Sequence, residues 1–266
     1  MKGQPPPVDG IADPYEAIAD AYDRLDDWII ENWGEQPRPV RADFLCALWA
    51  DRPGGVADVL EICCGTGLML EQLALRDRAV AGLDRSAAML RHARKRLGDD
   101  VPLVEAELPA IPLDRRFDAV ISCGAALNYL SCPRDVTATF QSVARVLRPG
   151  GSFVFDVLGR SMLDDHVGST VWAADLGDLA FIWEFADGPA GAYCDATYTQ
   201  FLHREGAPAE VYDRAVETHR LYPLNPEVVR RAAAAAGLVD VRVYDNYTRA
   251  PAHADTLYET WTFTRR

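Results

Sequence analysis

The run Val59-Leu60-Glu61-Ile62-Cys63-Cys64-Gly65-Thr66-Gly67, with Asp84 closing the next apolar run, constrains this chain more than any other feature. It reads as a strand, a tight glycine turn, a helix start and a second strand ending in a carboxylate. Glycines at 65 and 67 let the backbone approach a ligand where a Cβ would collide. A carboxylate about 20 residues further on can accept both hydroxyls of a ribose. Such a site binds a nucleoside-containing cofactor. A dinucleotide site would want a third glycine for close helix-to-strand packing below a pyrophosphate. Leu70 stands at that position, so the loop fits a ligand without phosphates better.

Strand and helix signals alternate around this loop. Strands are expected near 57–62, 79–83, 101–104, 117–123 and 151–157, with helices near 66–76, 86–97 and 133–147 between most of them. Ser86 is a helix N-cap and Gly98 a stop for the second of these helices. A helix over 13–31 precedes them, with Tyr15, Ile18, Ala19 and Tyr22 on one side. A helix at 226–236, a strand at 238–245 and a strand at 257–264 close the chain. Alternation of this kind demands a parallel sheet with helices on both faces. Residues 158–222 break it: aromatic and β-branched runs punctuated by Asp187-Gly188-Pro189 and Arg204-Glu205-Gly206-Ala207-Pro208 read as antiparallel hairpins. Residues 1–10, rich in Pro and Gly, are expected to be loose.

The glycine loop resembles motif I of the class I S-adenosylmethionine (SAM) dependent methyltransferases, and further segments match in order. Val80-Ala81-Gly82-Leu83-Asp84 is similar to the strand with the ribose-binding acid, and Val104-Glu105-Ala106-Glu107-Leu108 to the adenine-binding segment. Phe117-Asp118-Ala119-Val120-Ile121-Ser122-Cys123 resembles the fourth strand, which ends under the reactive sulfur, and Leu147-Arg148-Pro149-Gly150-Gly151 the turn into strand five. Tyr15, Tyr22-Asp23 and Leu127-Asn128-Tyr129-Leu130 resemble a small-molecule subgroup that inserts strands after strand five. The implied fold is α/β: a Rossmann-like seven-stranded, mostly parallel sheet with helices on both faces and its last strand antiparallel, plus a small antiparallel β lid. The implied organisation is a helical cap over 1–40, a SAM-binding core over 41–157 and 223–266, and a substrate lid over 158–222. The cofactor positions implied are Tyr15, Tyr22, Glu61, Cys63, Gly65, Gly67, Asp84, Arg85, Met89, Glu107, Leu108, Cys123 and Asn128. In particular, Tyr22 would lay a ring near the sulfonium, and Glu61, a carboxylate costly to bury alone, would orient the amino end.

Composition excludes other classes. At 266 residues, 49% apolar and 25% charged, the chain can bury one sizeable core. A net charge of −13 lacks the basic footprint of a nucleic-acid binder, and the cluster Arg91 to Arg96 reads as a solvated helix face. Cys46, Cys63, Cys64, Cys123, Cys132 and Cys194 form no C-x-x-C pair, and the start has no apolar signal core. The expectation is a reduced, cytoplasmic protein with neither disulfides nor a metal site. No apolar run approaches the roughly 18 residues of a membrane span. The expected partner is a small molecule, with neither nucleic acid nor membrane.

Methyl transfer needs a nucleophile held in line with the S–CH₃ bond, and proximity alone lowers such barriers by roughly 7–11 kcal/mol. A general base, if used, lies in the lid. His203 shares a strand face with Tyr193, Asp195, Thr197, Thr199 and Phe201, and His219 with Asp213, Ala215, Glu217 and Leu221. Either histidine suits the task, or either sits on the solvent face of a hairpin. Glu184 is a third candidate, although it alternates with Trp183 and Phe185 and so points away from the aromatic face; His166 and His253 fall in loops. The aromatic residues Trp172, Phe181, Trp183, Phe185, Tyr193 and Tyr198 are either substrate walls or lid core. Cys63 and Cys64 read as small residues beside the ligand rather than as nucleophiles. The function implied is methylation of nitrogen, oxygen or an electron-rich carbon of a small aromatic or heterocyclic metabolite in a biosynthetic pathway. The same scaffold also serves non-methylating SAM enzymes and non-catalytic SAM-binding modules.

Overall fold

The computed structural model describes residues 15–50, 52, 54–163 and 171–266. The expectations for residues 1–10, for the first two residues of the 13–31 helix and for His166 fall outside them. β1 (Asp58–Ile62), β2 (Ala79–Asp84), β3 (Leu103–Glu105), β4 (Phe117–Ser122) and β5 (Leu147–Leu158) lie parallel. The central ones are near-continuous apolar runs because a parallel strand is covered on both faces. With β10 (Leu238–Asp245) and β11 (Tyr258–Arg265) they form a seven-stranded sheet ordered β10-β11-β5-β4-β1-β2-β3. The last strand, β11, runs antiparallel to both of its neighbours, β5 and β10.

Alternate sheet residues face two helical layers. On one side Leu60, Phe153 and Phe155 pack with Phe140 of α5 (Pro133–Val146) and with Ala232 and Ala233 of α6 (Pro226–Ala235). On the other, Val59, Ala119, Ile121 and Val154 meet Leu45 and Trp49 of α2 (Arg38–Trp49) and Met69 and Leu73 of α3 (Leu68–Ala74). Burying one ring such as Phe140 contributes on the order of 1.5–3 kcal/mol. α4 (Ala87–Leu97) begins as expected, with Ser86 Oγ accepting from the Met89 N–H at 3.2 Å. Its Arg96 is more than a solvated charge: the guanidinium donates to the Thr66 carbonyl at 3.0 Å and pairs with Asp23, whose carboxylate also accepts from Thr66 Oγ1 at 2.5 Å. These contacts fasten the first helix to the glycine loop.

Two local expectations shift. α2 was not foreseen, and the helix expected from 13 begins only at Tyr22, as α1 (Tyr22–Asn32). Residues 15–21 form turns instead. Tyr15 takes φ 76°, outside helical space. The N–H groups of Tyr15 and Ala17 both donate, at 2.7 Å, to the carboxylate of Glu217, a tertiary acceptor that replaces the helical ones.

A second sheet, β6-β7-β8-β9, is antiparallel throughout: β6 (Val171–Asp175), β7 (Leu179–Asp187), β8 (Cys194–His203) and β9 (Tyr212–Leu221). Its register pairs Trp183 with Tyr198 and Tyr198 with Glu217, then Phe185 with Ala196 and Ala196 with His219. These side chains therefore share one face, and Phe181 and Tyr198 on it pack against Ile18 and Leu25.

Near the amino-terminal end of β4, the central strand of the main sheet, Asp118 accepts from the N–H groups of Ala57 and Asp58 and from Arg148 at 2.6 Å. Burial pushes the Asp118 carboxyl up, but these donors outweigh it and hold the group below the ordinary aspartate value. A depressed folded-state value stabilises the fold above the unfolded carboxylate range and is lost as pH falls through the folded value. Asp118→Asn is expected to cost about 1 kcal/mol at neutral pH. The gap to the parent should narrow below about pH 4 in denaturant titrations; a gap unchanged in acid would dismiss the charged network.

Candidate active site

The carboxyl ends of β1 and β4 meet where the strand order reverses, the place where open α/β sheets hold ligands. Gly65 there has φ 53°, and a Cβ built on it would meet nothing within 4 Å, so its face is open to the cavity. Gly67 does not line this cavity, and the structure shows a packing task for it. Its φ is 81°, and a Cβ would lie 3.0 Å from Leu97 Cδ1 and 3.3 Å from Ala93 Cβ, so it lets α3 start against α4. Cys63 takes φ 57°, a left-handed conformation that side chains seldom adopt. Burial pushes the thiols of Cys63 and Cys64 up, which leaves them protonated and poor nucleophiles.

Asp84 is buried at the end of β2, its Oδ2 accepting from the Gly65 N–H at 2.8 Å and its Oδ1 from the Ser86 N–H at 2.9 Å. Burial raises its carboxyl above the ordinary value, against the pull of those two donors. Each oxygen keeps a second lone pair for a ligand. Asp84 lines a cavity of about 760 Å³ together with Tyr15, Tyr22, Cys63, Gly65, Arg85, Met89, Glu107, Leu108 and Cys123. Ten of the thirteen cofactor positions expected from the sequence thus converge on one space. Glu107 is exposed there and pairs with Arg85 at 3.2 Å.

Glu61 opens instead into a recess of about 410 Å³ that shares Tyr22, Cys63, Gly65 and Cys123 with the first cavity. Its Oε2 is buried without a partner, and burial pushes its carboxyl well up. Arg38 and Arg41 line the same recess. A carboxylate facing guanidiniums suits the amino and carboxylate ends of an amino acid, so the methionyl part of SAM fits here and its nucleoside fits beside Asp84. Neither arginine was legible in the sequence, since their value comes from α2 folding back over the loop. Asn128 is not brought to these cavities. Its Nδ2 donates to the Tyr222 carbonyl at 2.9 Å and its Oδ1 accepts from the Leu158 N–H at 3.0 Å, which makes it a staple between sheets.

A further cavity of about 830 Å³ lies against the second sheet and shares Tyr15, Tyr22, Gly124 and Tyr129 with the first. Trp183, Phe185 and Tyr198 wall it, whereas Trp172 packs on Trp28 and Trp33, and Tyr193 lies 3.8 Å from the Arg220 guanidinium. Of the three candidate bases only His219 reaches it. His203 sits on the opposite face at the end of β8, with Nε2 3.2 Å from the Pro208 carbonyl, and Glu184 is exposed. The register explains both: Trp183 pairs with Tyr198, so even positions of β8 face inward and His203 faces out. His253, in its loop, stands 3.6 Å from Asp245 and is largely exposed.

His219 is 6% exposed and stands between Tyr129 and Glu217 in a chain of polar groups. Tyr15 Oη lies 2.5 Å from Tyr129 Oη, Tyr129 Oη lies 3.0 Å from His219 Nδ1, and His219 Nε2 lies 3.3 Å from Glu217 Oε2. Burial pushes Glu217 up, but His219 and the N–H groups of Tyr15 and Ala17 outweigh it and hold its carboxyl below the ordinary value. Burial pushes both phenols above their ordinary value. A carboxylate at Nε2 assigns the proton there, so Nδ1 accepts from Tyr129, and Tyr129 accepts from Tyr15. Tyr129 was quoted in a sequence motif but not foreseen as a site residue; its signal was its place in the short helical turn, Ala126–Tyr129, that follows β4.

Comparison with known proteins agrees with this geometry. The family model described as "Methyltransferase domain" matches residues 59–151. YqeM of Bacillus subtilis (strain 168), a protein named as a methyltransferase, is 32% identical over 171 residues, covering 62% of this chain and 68% of that protein. The dTDP-3-amino-3,6-dideoxy-alpha-D-glucopyranose N,N-dimethyltransferase of Streptomyces fradiae is 28% identical, covering 80% of this chain and 82% of its own. Among solved structures, a S-adenosylmethionine-dependent methyltransferase from Clostridium acetobutylicum ATCC 824 superposes with a TM-score of 0.81 over 92% of this chain and 99% of that one. At 21% identity that likeness speaks to the fold.

If Asp84 holds the ribose, Asp84→Asn should weaken SAM and S-adenosylhomocysteine binding by about tenfold or more in calorimetric titration. Unchanged affinity would remove the assignment.

Proposed function

This chain belongs to the class I SAM-dependent methyltransferases, and within that family we propose that it methylates a nitrogen or oxygen of a small molecule seated against the second sheet. The observation that carries this reading is the Tyr15–Tyr129–His219–Glu217 chain, whose tyrosines stand in the wall shared by both large cavities. SAM, when bound, supplies an electrophilic methyl group on a sulfonium. The residues then have three tasks. Asp84, Glu61, Arg41 and the open face of Gly65 hold the cofactor; Tyr22 and Tyr129 border the passage between the cavities; the polar chain receives the proton that the acceptor gives up.

Proton removal follows from the order of donors. The Tyr15 oxygen accepts from the acceptor, Tyr15 passes its own proton to Tyr129, and Tyr129 passes one to His219 Nδ1. Both phenols remain neutral before and after, consistent with the burial that disfavours their phenolates. Glu217 stays ionised and stabilises the imidazolium, the part a buried carboxylate plays beside any histidine base. In this reading residues 1–40 act as a cap, 158–222 as a lid, and the remainder as the cofactor-binding core.

A positioned base contributes on the order of 10²–10⁴-fold. Incubation with methyl-labelled SAM and a small-molecule library should label a small product. His219→Ala and Tyr129→Phe should each lower the rate by about 10² or more with SAM affinity kept, and the double variant should lose little beyond either single one. His203→Ala should retain full activity. A labelling rate unchanged by His219→Ala would overturn the assigned base.

A further inference from the structure

We propose that the methyl acceptor is an amine on a compact apolar body, without a phosphate group, and that Glu35 and Asp26 are the carboxylates that select it. The proposal rests on the preceding reading, since it names the substrate class of the same cavity. Glu35 is 6% exposed and lines the acceptor cavity, its Oε2 2.8 Å from Arg41 Nη2; burial pushes its carboxyl up to about 7 against the pull of that guanidinium, so a bound ammonium is what draws it fully into the ionised form. Asp26 lines it as well, with Oδ2 2.8 Å from Arg38 Nε. Both arginines line the methionyl recess rather than this cavity. Each carboxylate therefore keeps a second oxygen for a ligand. Among the described residues that line the acceptor cavity, His219 is the one side chain able to carry a positive charge.

The direction in which charge moves makes this decisive. During transfer the C–N bond forms from the amine lone pair while the C–S bond breaks and its electron pair leaves with sulfur. Positive charge thereby passes from the cofactor's side of the wall to the nitrogen, and the amine's proton leaves through Tyr15. Carboxylates fixed in advance beside a developing cation stabilise the transition state, and the rings of Tyr22, Trp33, Trp183, Tyr198 and Tyr258 offer cation–π faces. A phenol acceptor fares worse. It must become an anion before it attacks, and a cavity with two carboxylates and neither lysine nor arginine in its wall disfavours phenolate. A nucleoside diphosphate, as in the name of the Streptomyces fradiae relative, would need donors of the arginine or lysine kind, and the chain's net charge of −13 repels it.

The test uses the full chain saturated with S-adenosylhomocysteine and titrated at neutral pH with phenethylammonium, its neutral counterpart 2-phenylethanol, and thymidine diphosphate. Phenethylammonium should bind roughly tenfold tighter than 2-phenylethanol, and thymidine diphosphate should not bind. Glu35→Gln should erase most of the ammonium preference and leave 2-phenylethanol affinity in place. Asp26→Asn serves as a second variant if Glu35→Gln fails to fold, and the wild-type preference stands as a readout by itself. Equal affinity for amine and alcohol, saturable binding of thymidine diphosphate, or no binding of any of the three at millimolar concentration would overturn the proposal. Failure of the protein to bind S-adenosylhomocysteine would instead strike the cofactor reading beneath it, so the two failures are separable.

Discussion

One buried carboxylate organises the junction between the segment before α1 and the second sheet. Glu217 stands on β9 with 6% of its surface exposed, an environment that penalises charge by several kcal/mol unless it is partnered. Its partners are the N–H groups of two residues some two hundred positions earlier and the imidazole two residues later. Satisfying that carboxylate therefore pulls the segment before α1 across the second sheet. It also holds Tyr15 in a left-handed conformation that a bulky residue avoids by itself, at a cost of order 1–3 kcal/mol. Because the Tyr15 backbone is fixed this way, its hydroxyl meets that of Tyr129. The geometry of the polar chain is thus a consequence of how one negative charge is neutralised.

The two large cavities are not independent containers. Tyr15, Tyr22, Gly124 and Tyr129 belong to the walls of both, and beneath them Asp156 accepts from the Gly124 N–H at 3.1 Å and the Ala125 N–H at 2.5 Å. Tyr247 donates to the same carboxylate at 2.7 Å, and Arg41 lies 5.8 Å from the Tyr247 ring centroid. The loop after β4 is therefore set from below by a carboxylate in β5. Arg41 connects that support to Glu35 on one side and to the recess with Glu61 on the other. A change in charge at either cavity is felt by the same guanidinium.

How much of this the sequence disclosed depends on range. The glycine loop, Asp84 and the alternation of strands and helices were legible because their signals are local: a turn needs its residues in order, and a two-sided strand needs its apolar run. The packing role of Gly67 was hidden because the side chains its Cβ would strike belong to α4. Asn128's place away from the cavities could not be read because its partners, Tyr222 just past β9 and Leu158 at the end of β5, are brought near only by the tertiary fold. Period-two reasoning placed Glu217 and His219 on a common face, yet it could not say which face is inward; that is fixed by the pairing of Tyr198 with Trp183 and Glu217. Arg41 and Glu35 left no pattern at all, since a buried ion pair is a property of the packing of α2.

The N-terminal helix and the second sheet meet through tryptophan. Trp33 stacks on Trp183 with ring centroids 4.8 Å apart and an interplanar angle of 19°, Trp172 lies 5.5 Å from Trp33, and Trp28 lies 5.9 Å from Trp172. Four of the six indoles of the chain therefore sit at this junction, and the other two, Trp49 and Trp261, are sealed in the main core. Their transitions are close enough to couple, so near-ultraviolet circular dichroism and intrinsic emission report chiefly on that junction. The protein carries its own optical probe of whether helix and sheet are engaged around a ligand.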